Sequence, residues 1–135
     1  MDILAYEAVL QGLKDYNSKA EKNYGNSVVR TPPTNPTYPL TIFTEIRNVA
    51  NTNFNSCFER VASVGYRADI YAKTKNKITK DEIARNIAVL VDKYLSQIGL
   101  TRISFNISEL ENDGSIFRII MTYSGNLHEN RLRFI

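Results

Sequence analysis

Apolar and polar positions recur along the chain with two different periods, and each period predicts a different kind of element. Between residues 2 and 16, apolar side chains return every three or four positions, which is typical of an amphipathic helix. They are Ile3, Tyr6, Val9, Leu10, Leu13 and Tyr16. Asp2 precedes this stripe and is suited to accept a hydrogen bond from the first turn. We therefore predict a helix over residues 2–16.

A second helical stripe carries its own start and stop signals. Thr79 and Glu82 form a capping box, in which the threonine hydroxyl accepts from the backbone while the glutamate reaches back. Gly99 is typical of the residue that follows a helix C-terminus. The stripe between these signals consists of Ile83, Ile87, Leu90, Val91, Tyr94, Leu95 and Ile98. It predicts a helix over residues 80–98.

A period of two predicts the strands. The predicted strands are residues 40–46, 58–73, 102–110 and 115–123. Val61, Ser63 and Gly65 indicate an irregularity in the second strand. Asn112-Asp113-Gly114 is a strong hairpin turn signal between the last two strands. The asparagine-rich residues 48–56 are predicted to be a loop, and residues 124–126 are predicted to end the last strand.

Residues 17–39 are predicted to be a long connection without regular structure. All four prolines of the chain lie between residues 32 and 39, where they oppose both a helix and a central strand. The sequence therefore predicts one α+β domain over residues 1–135. Its order is α-β-β-α-β-β, with two hairpins forming a mainly antiparallel four-stranded sheet whose apolar face is packed by two helices.

Composition and charge limit the classes of protein to which this chain could belong. The chain has 135 residues, 43% of them hydrophobic, and 17 basic residues against 14 acidic ones. The excess of positive charge is too small and too dispersed to indicate nucleic-acid binding. No apolar run approaches the roughly 20 residues that a membrane-spanning helix needs. The single cysteine, Cys57, excludes an internal disulfide and suits a reducing compartment.

No pattern of reactive side chains predicts an enzyme. The one histidine, His128, lies in a polar segment, and no motif joins it to Cys57 as a nucleophile–base pair. Asp69 and Glu45 are better explained as ion-pair partners of neighbouring arginines than as a general acid and base. We expect no catalytic residues.

Metal and cofactor sites are not predicted either. The chain has only one cysteine and one histidine for a zinc site that needs four such ligands. Glu109, Glu111 and Asp113 do not have the spacing of a calcium-binding loop and are typical of a solvated turn. The glycines are scattered singly, without the spacing of a phosphate-binding loop. We expect no metal and no cofactor.

Tyrosine is abundant, with eight residues. Tyrosine is favoured at protein interfaces because it buries area while keeping a polar tip. Four tyrosines lie in the predicted helices and strands, and we predict that they pack at the edge of the core. They are Tyr6, Tyr66, Tyr94 and Tyr123. Tyr24 and Tyr38 lie in the long connection, and we predict them at an interface.

Two segments resemble one protein family. Residues 38–46 read YPLTIFTEI, and after an asparagine-rich loop and Glu59-Arg60-Val61, residues 65–73 read GYRADIYAK. Together with the capped helix, this layout resembles the tail terminator proteins of tailed bacteriophages and phage-tail-like particles. The strand, Gly-Asn break and short basic end of residues 118–133 are also similar in layout. The resemblance covers residues 38–135.

The resemblance implies a structural virion protein of the tail or neck, assembled in the cytoplasm of a bacterial host. It implies a ring, usually hexameric, that caps the tail tube, ends its polymerisation and joins it to the head connector or sheath. The expected partners are other copies of this chain, the tube protein and the connector or sheath protein, with DNA only in transit. Expected interface residues are Asn53, Phe54, Glu59 and Arg60 on one patch and Arg131 and Arg133 on the other.

Three other classes remain open. A head–tail connector or a tail-tube subunit shares much of this layout, and a tube subunit would polymerise without limit. A nucleic-acid-binding module is a more remote alternative, since the sheet carries aromatic residues and the pI is about 9.0. A small enzyme is the third.

Overall fold

The computed structural model describes residues 5–51, 61–109 and 115–128. Its elements follow in the order α1 (Ala5–Lys19), β1 (Ser27–Val29), β2 (Leu40–Asn51), β3 (Val61–Ala72), α2 (Lys80–Gln97), β4 (Thr101–Glu109) and β5 (Phe117–His128). The strands form one five-stranded sheet in the order β1-β2-β3-β5-β4. β1 is parallel to β2, and the other neighbouring strands are antiparallel. The fold is therefore α+β with a mixed sheet.

The prediction of four antiparallel strands in the order α-β-β-α-β-β is wrong. The structure has an additional strand, β1, inside the segment that was expected to lack regular structure, and this strand is parallel to β2. Only Ser27, Val28 and Val29 belong to it. Three residues are too few to show a period of two, which is why the hydrophobic pattern does not reveal this strand.

A buried network of polar side chains holds β1 in place. The Asn17 side chain donates to the Asn26 carbonyl at 2.8 Å, and the Asn26 side chain donates back to Asn17 Oδ1 at 3.0 Å. Thr41 Oγ1 then donates to Asn26 Oδ1 at 3.0 Å. These bonds join the end of α1, the approach to β1 and the start of β2. Because all three side chains are buried, the network compensates for their lost hydration.

The strand ends also differ from the predictions. β2 continues to Asn51 and β5 continues to His128, so the asparagine-rich segment and residues 124–126 do not end these strands where expected. In both places, pairing with β3 keeps the chain in a strand. Val49 pairs with Ser63, and Gly125 pairs with Val64. Local propensity for turns is overridden by the ladder of a central strand. Asp2, residues 52–60 and the predicted turn at residues 112–114 lie outside the described residues.

The predicted irregularity near Gly65 is confirmed, although the extra residue lies in the partner strand. The pairing of β2 with β3 shifts between Glu45 and Arg47, so Ile46 is the additional residue of a β-bulge. A Cβ on Gly65 would lie 3.2 Å from Ile46 Cγ1 and 3.3 Å from Arg47 Cβ. The bulge therefore packs directly over a glycine, where a larger residue would have to push it away.

Both helices contribute to a core on one face of the sheet. Alternate residues of β3 face it and are fully buried: Val64, Tyr66, Ala68, Ile70 and Ala72. On α1, Tyr6 stacks on Phe43 with their ring centroids 5.7 Å apart, and Phe43 lies 5.4 Å from Tyr66. Such aromatic pairs add roughly 0.5–1.5 kcal/mol each beyond the area that they bury. The expected core tyrosines are confirmed at positions 6, 66 and 123, and Tyr94 is half-buried.

Burial changes the acid–base properties of these tyrosines. The pKa of Tyr66 is raised above its usual value of 10.0, mainly because burial disfavours the charged form. The pKa of Tyr123 is raised by burial and by its hydrogen bond to the Asp92 carboxylate. Both hydroxyls therefore stay protonated even near pH 10, where an exposed tyrosine is about half ionised, and add no charge to the core.

The helix predicted over residues 80–98 is confirmed as α2. Thr79 is its N-cap, with an extended backbone and a hydroxyl that accepts from the Glu82 amide at 3.2 Å. At the other end the Ile98 amide donates to the Tyr94 carbonyl, and Gly99 has a φ of 102°. This positive φ is where glycine is favoured after a helix. The capping signals in the sequence therefore fix both ends of α2.

Replacing Thr79 with Ala should lower the free energy of unfolding by about 1 kcal/mol, because it removes the hydroxyl that caps the Glu82 amide. Thr79→Ser is the matched control, since it keeps the hydroxyl and should retain most of the stability. Urea unfolding followed by circular dichroism measures the difference. Equal stability of Thr79→Ala and the wild type would show that the cap does not stabilise α2.

Candidate assembly surfaces

Large apolar side chains are exposed at two separate places on the described surface. The first, which we call the β4 patch, consists of Val89 on α2 and Ile103, Phe105 and Ile107 on β4. The second, the β2 patch, consists of Ile46 and Val49 on β2. β2 and β4 are separated in the sheet by β3 and β5. The two patches therefore lie on opposite sides of the molecule.

The β4 patch arises because β4 is the last strand of the sheet. Phe105 pairs with Met121 of β5, so both point to the helix-covered face. Met121 is fully buried there, whereas Phe105 remains 38% exposed because it lies one strand further out. Ile103, the additional residue of a bulge between Arg102 and Ser104, is 63% exposed. The outer strand thus carries apolar side chains beyond the cover that the helices provide.

A groove of about 310 Å³ runs between α2 and β4. Phe105, Met121 and Val89 form part of its apolar lining, and Arg85 and Arg102 lie along it. The outer edge of β4 has no partner strand among the described residues, so half of its backbone amide and carbonyl groups point away from the sheet. This combination of open backbone groups and apolar side chains is suited to receive another strand.

Charged groups at the inner end of the groove are already paired. Asp92 of α2 accepts from the Tyr123 hydroxyl at 2.6 Å and lies 3.5 Å from Arg102 Nη1. The Arg102 guanidinium also lies 5.8 Å from the centre of the Phe105 ring. These contacts hold Arg102 beside the apolar strip and fix α2 to β4 and β5.

The β2 patch lies where a second edge of the sheet is open. β1 pairs only with Leu40, Thr41 and Ile42, so residues 43–51 have no strand on their outer side within the described ranges. Val49 is 56% exposed in this open part, and Ile46 projects from the bulge beside Gly65. Glu45, which is also exposed, accepts a hydrogen bond from Asn48 at 3.4 Å.

The sheet face opposite the core carries an ion-pair cluster around Asp69, beside Ile42 and Ile120, and we call it the polar face. Asp69 is buried there and accepts from Arg67 Nε at 3.0 Å and from Arg118 Nη2 at 3.1 Å. The Arg118 guanidinium lies 5.3 Å from the centre of the Tyr71 ring. Burial is also the main cause that raises the pKa of Tyr71. The expected ion pair between Asp69 and a neighbouring arginine is thus confirmed.

The predicted interface tyrosines are both engaged within the chain. The Tyr24 hydroxyl accepts from the Asn86 side chain at 3.2 Å, and its ring packs against the core. The Tyr38 ring lies 4.9 Å from the Lys73 ammonium. Each is half-buried and retains some exposed surface. The other predicted interface residues lie outside the described residues; they are Asn53, Phe54, Glu59, Arg60, Arg131 and Arg133.

The residues considered for chemistry are not brought together in the described part of the chain. Cys57 lies outside it, and His128 is its last residue, with a side chain that is not described. Glu111 and Asp113 also lie outside it. Within residues 5–51, 61–109 and 115–128, no three His, Cys, Asp or Glu side chains form a group that could hold a metal ion.

Sequence reasoning missed both patches. The alternation of Ile103, Phe105 and Ile107 with polar residues predicts a face turned to the core, and it does not show that this strand is the outermost one. One signal was present: β4 has no proline and only Arg102 and Glu109 as charged residues, although edge strands are usually protected by such residues.

Compared with models of known protein families and with curated proteins, the chain matches none. Among the described helices, neither is long and apolar enough to span a membrane. The geometry of the two patches and of the polar face is therefore the main basis for a functional proposal.

Asp69→Asn should lower the free energy of unfolding by about 1–3 kcal/mol, because it leaves two arginines on the polar face without their carboxylate. The lower part of that range allows for the 38% exposure of the Arg67 side chain. Asp81→Asn is the control: its pair with Arg85 is exposed on both sides, so the loss should be below about 1 kcal/mol. Equal losses in urea unfolding would contradict the structural role of Asp69.

Proposed function

We propose that this protein is a structural subunit that assembles with copies of itself into a ring. The ring, a hexamer as the resemblance to tail terminators implies, would cap the tail tube of a tailed bacteriophage or a phage-tail-like particle. There it would end tube polymerisation and offer a joining surface to the head connector or the sheath. The observation that carries this proposal is the presence of two separate apolar patches on one chain.

Two different patches favour a ring over a simple dimer. A dimer with two-fold symmetry uses the same surface on both subunits, whereas a head-to-tail contact joins two different surfaces and closes into a ring if the rotation allows. The β4 patch and the β2 patch differ in size, in their strands and in position. A contact between them would cover both, while a two-fold contact through either would leave the other exposed to water.

The virion role is supported by the sequence resemblance, which concerns the centre of the sheet. The segment at residues 65–73 supplies the last two thirds of β3, where Tyr66, Ala68 and Ile70 are fully buried. Arg67 and Asp69 of the same segment form the ion pair on the polar face. The resemblance therefore supports a shared scaffold, and the patches support assembly.

Neighbouring roles in the same particle fit the surfaces as well. A connector or neck protein would also form a closed ring, and a tail-tube subunit would stack into long tubes. A nucleic-acid-binding module is less well supported, because Asp69 lies between the two arginines of the polar face and offsets part of their charge.

The purified chain should sediment as a discrete oligomer whose proportion rises with protein concentration, since exposed apolar patches on separate copies become buried against each other. Negative-stain electron microscopy should show closed rings, and mixing with isolated tail tubes should place one ring at a tube end. Sedimentation velocity and microscopy together measure both properties. Bovine serum albumin, mixed with the tubes in the same way, controls for non-specific binding.

Two results would contradict the proposal in different ways. A chain that stays monomeric at high concentration and ignores tail tubes would remove the assembly role altogether. Tubes that grow without limit from the purified chain would identify a tube subunit instead of a cap.

A further inference from the structure

We infer that residues 129–135, which follow β5 in the sequence, dock in the groove beside β4 of a neighbouring copy as an added strand. We call these seven residues the distal segment; they read ENRLRFI. The inference rests on the proposed assembly with other copies and specifies one of its contacts. The occupant of the groove is the distal segment of a second copy of this chain.

The distal segment has the alternation of a strand with one apolar face. Leu132 and Phe134 are apolar, and Arg131 and Arg133 alternate with them. Successive side chains of a strand point to opposite faces, so an extended backbone would turn the two apolar side chains to one side and the two arginines to the other. Such a segment suits an open sheet edge that is apolar on one face and polar on the other.

The outer edge of β4 has these two unlike faces. Phe105 and Ile107 lie on the helix-covered face, because both pair with core residues of β5, and they remain 38% and 44% exposed. The opposite face of β4 carries Ser104, Asn106 and Ser108. An added strand would bond to the open backbone groups of β4 and place its own apolar side chains next to Phe105.

The charges of the groove select which side of the distal segment faces the helices. Arg85 and Arg102 lie along the groove. The carboxylate of Asp92 is already engaged, since it lies 3.5 Å from Arg102 and also accepts from a tyrosine hydroxyl. If the arginines of the distal segment pointed into the groove, they would meet like charges, which destabilise neighbouring strands. With its apolar side chains in the groove, its arginines lie on the face where β4 carries serine and asparagine.

A copy cannot place these apolar side chains in its own groove. Phe105 pairs with Met121, and His128 lies seven residues further along β5, a rise of about 24 Å. The outer side of β4 lies two strand spacings from β5, about 10 Å away, so the straight distance from His128 is about 26 Å. Leu132 and Phe134 are four and six residues from His128 and can span at most about 14 and 22 Å. The groove must therefore belong to another copy.

The distal segment leaves the sheet at the end that carries the β2 patch. Val49 pairs with Ser63, and Ser63 pairs with Asn126, two residues before the end of β5. A neighbour whose groove receives the segment is therefore held near this end of the donor. Each copy donates one segment and accepts one at a different surface, which is the head-to-tail contact that a ring requires.

The test begins with two variants of the full chain. The donor variant carries Leu132→Lys and Phe134→Lys in the distal segment. The acceptor variant carries Val89→Lys and Ile107→Lys at the groove. Both groove positions are exposed, so the acceptor variant should fold, and lysine on an edge strand opposes pairing. Circular dichroism checks the fold of each protein, and sedimentation velocity measures its assembly.

Each variant alone should need at least about tenfold more protein to assemble than the wild type, because apolar side chains that would be buried at the contact are replaced. A 1:1 mixture of the two should form a dimer and stop there, since only one intact groove meets one intact distal segment. The matched control carries Ala8→Lys and Gln11→Lys on the exposed side of α1 and should assemble like the wild type.

A synthetic peptide of residues 129–135 tests the groove without any ring. The fluorescently labelled peptide should bind the donor variant, whose groove is intact, and fluorescence anisotropy measures the affinity. Binding to the acceptor variant should be at least about tenfold weaker. The same loss is expected for a peptide with Leu132→Ser and Phe134→Ser on the donor variant.

The outcomes separate this inference from the proposed function. Equal binding of the peptide to both variants, or no binding to the donor variant, would overturn the inference. If the donor variant forms rings like the wild type, the copies meet without the distal segment: the inference fails and the proposed function stands. A wild type that forms no ring and ignores tail tubes contradicts the proposed function, and peptide binding to the groove would then still support the docking.

Discussion

The one-sided cover of the sheet by the helices is the constraint on which the rest of the structure depends. The stack of Tyr6, Phe43 and Tyr66 joins α1 to β2 and β3, and α2 lies over β3 and β5. Gly12 lets the helices approach closely, since a Cβ at this position would collide with the Tyr94 hydroxyl. Two helices so placed bury the middle of one face of the five-stranded sheet. They cover the last strand, β4, only in part, which leaves Phe105 38% exposed.

The incomplete cover at one edge and the short β1 at the other produce the two patches. β1 is held by the buried Asn17–Asn26–Thr41 network and leaves the second half of β2 open. Both open edges thus follow from how the core and this network are built. A protein that works alone would be expected to protect such edges with charges, prolines or bulges that turn away. Here the bulges instead project Ile46 and Ile103 into solvent, which favours a role in assembly.

The elements with many regularly spaced residues could be read from the sequence, and those decided by distant contacts could not. α2 is specified by its own stripe and by Thr79 and Gly99, which act within a few residues of each other. β1 has three residues and depends on asparagines from α1 and on Thr41, so its signal is spread over the chain. Residues 124–126 contain a turn-forming glycine yet remain extended, because β3 supplies partners for them. The patches could not be predicted from the sequence for the same reason, since pairing between distant segments decides which strand lies at the edge of the sheet.

The most direct test of the account is an electron cryo-microscopy reconstruction of the assembled protein. The account predicts a closed ring in which the contacts between copies bury both the β4 patch and the β2 patch. A ring that leaves either patch exposed to solvent, or copies joined by β4 against β4 across a two-fold axis, would contradict it.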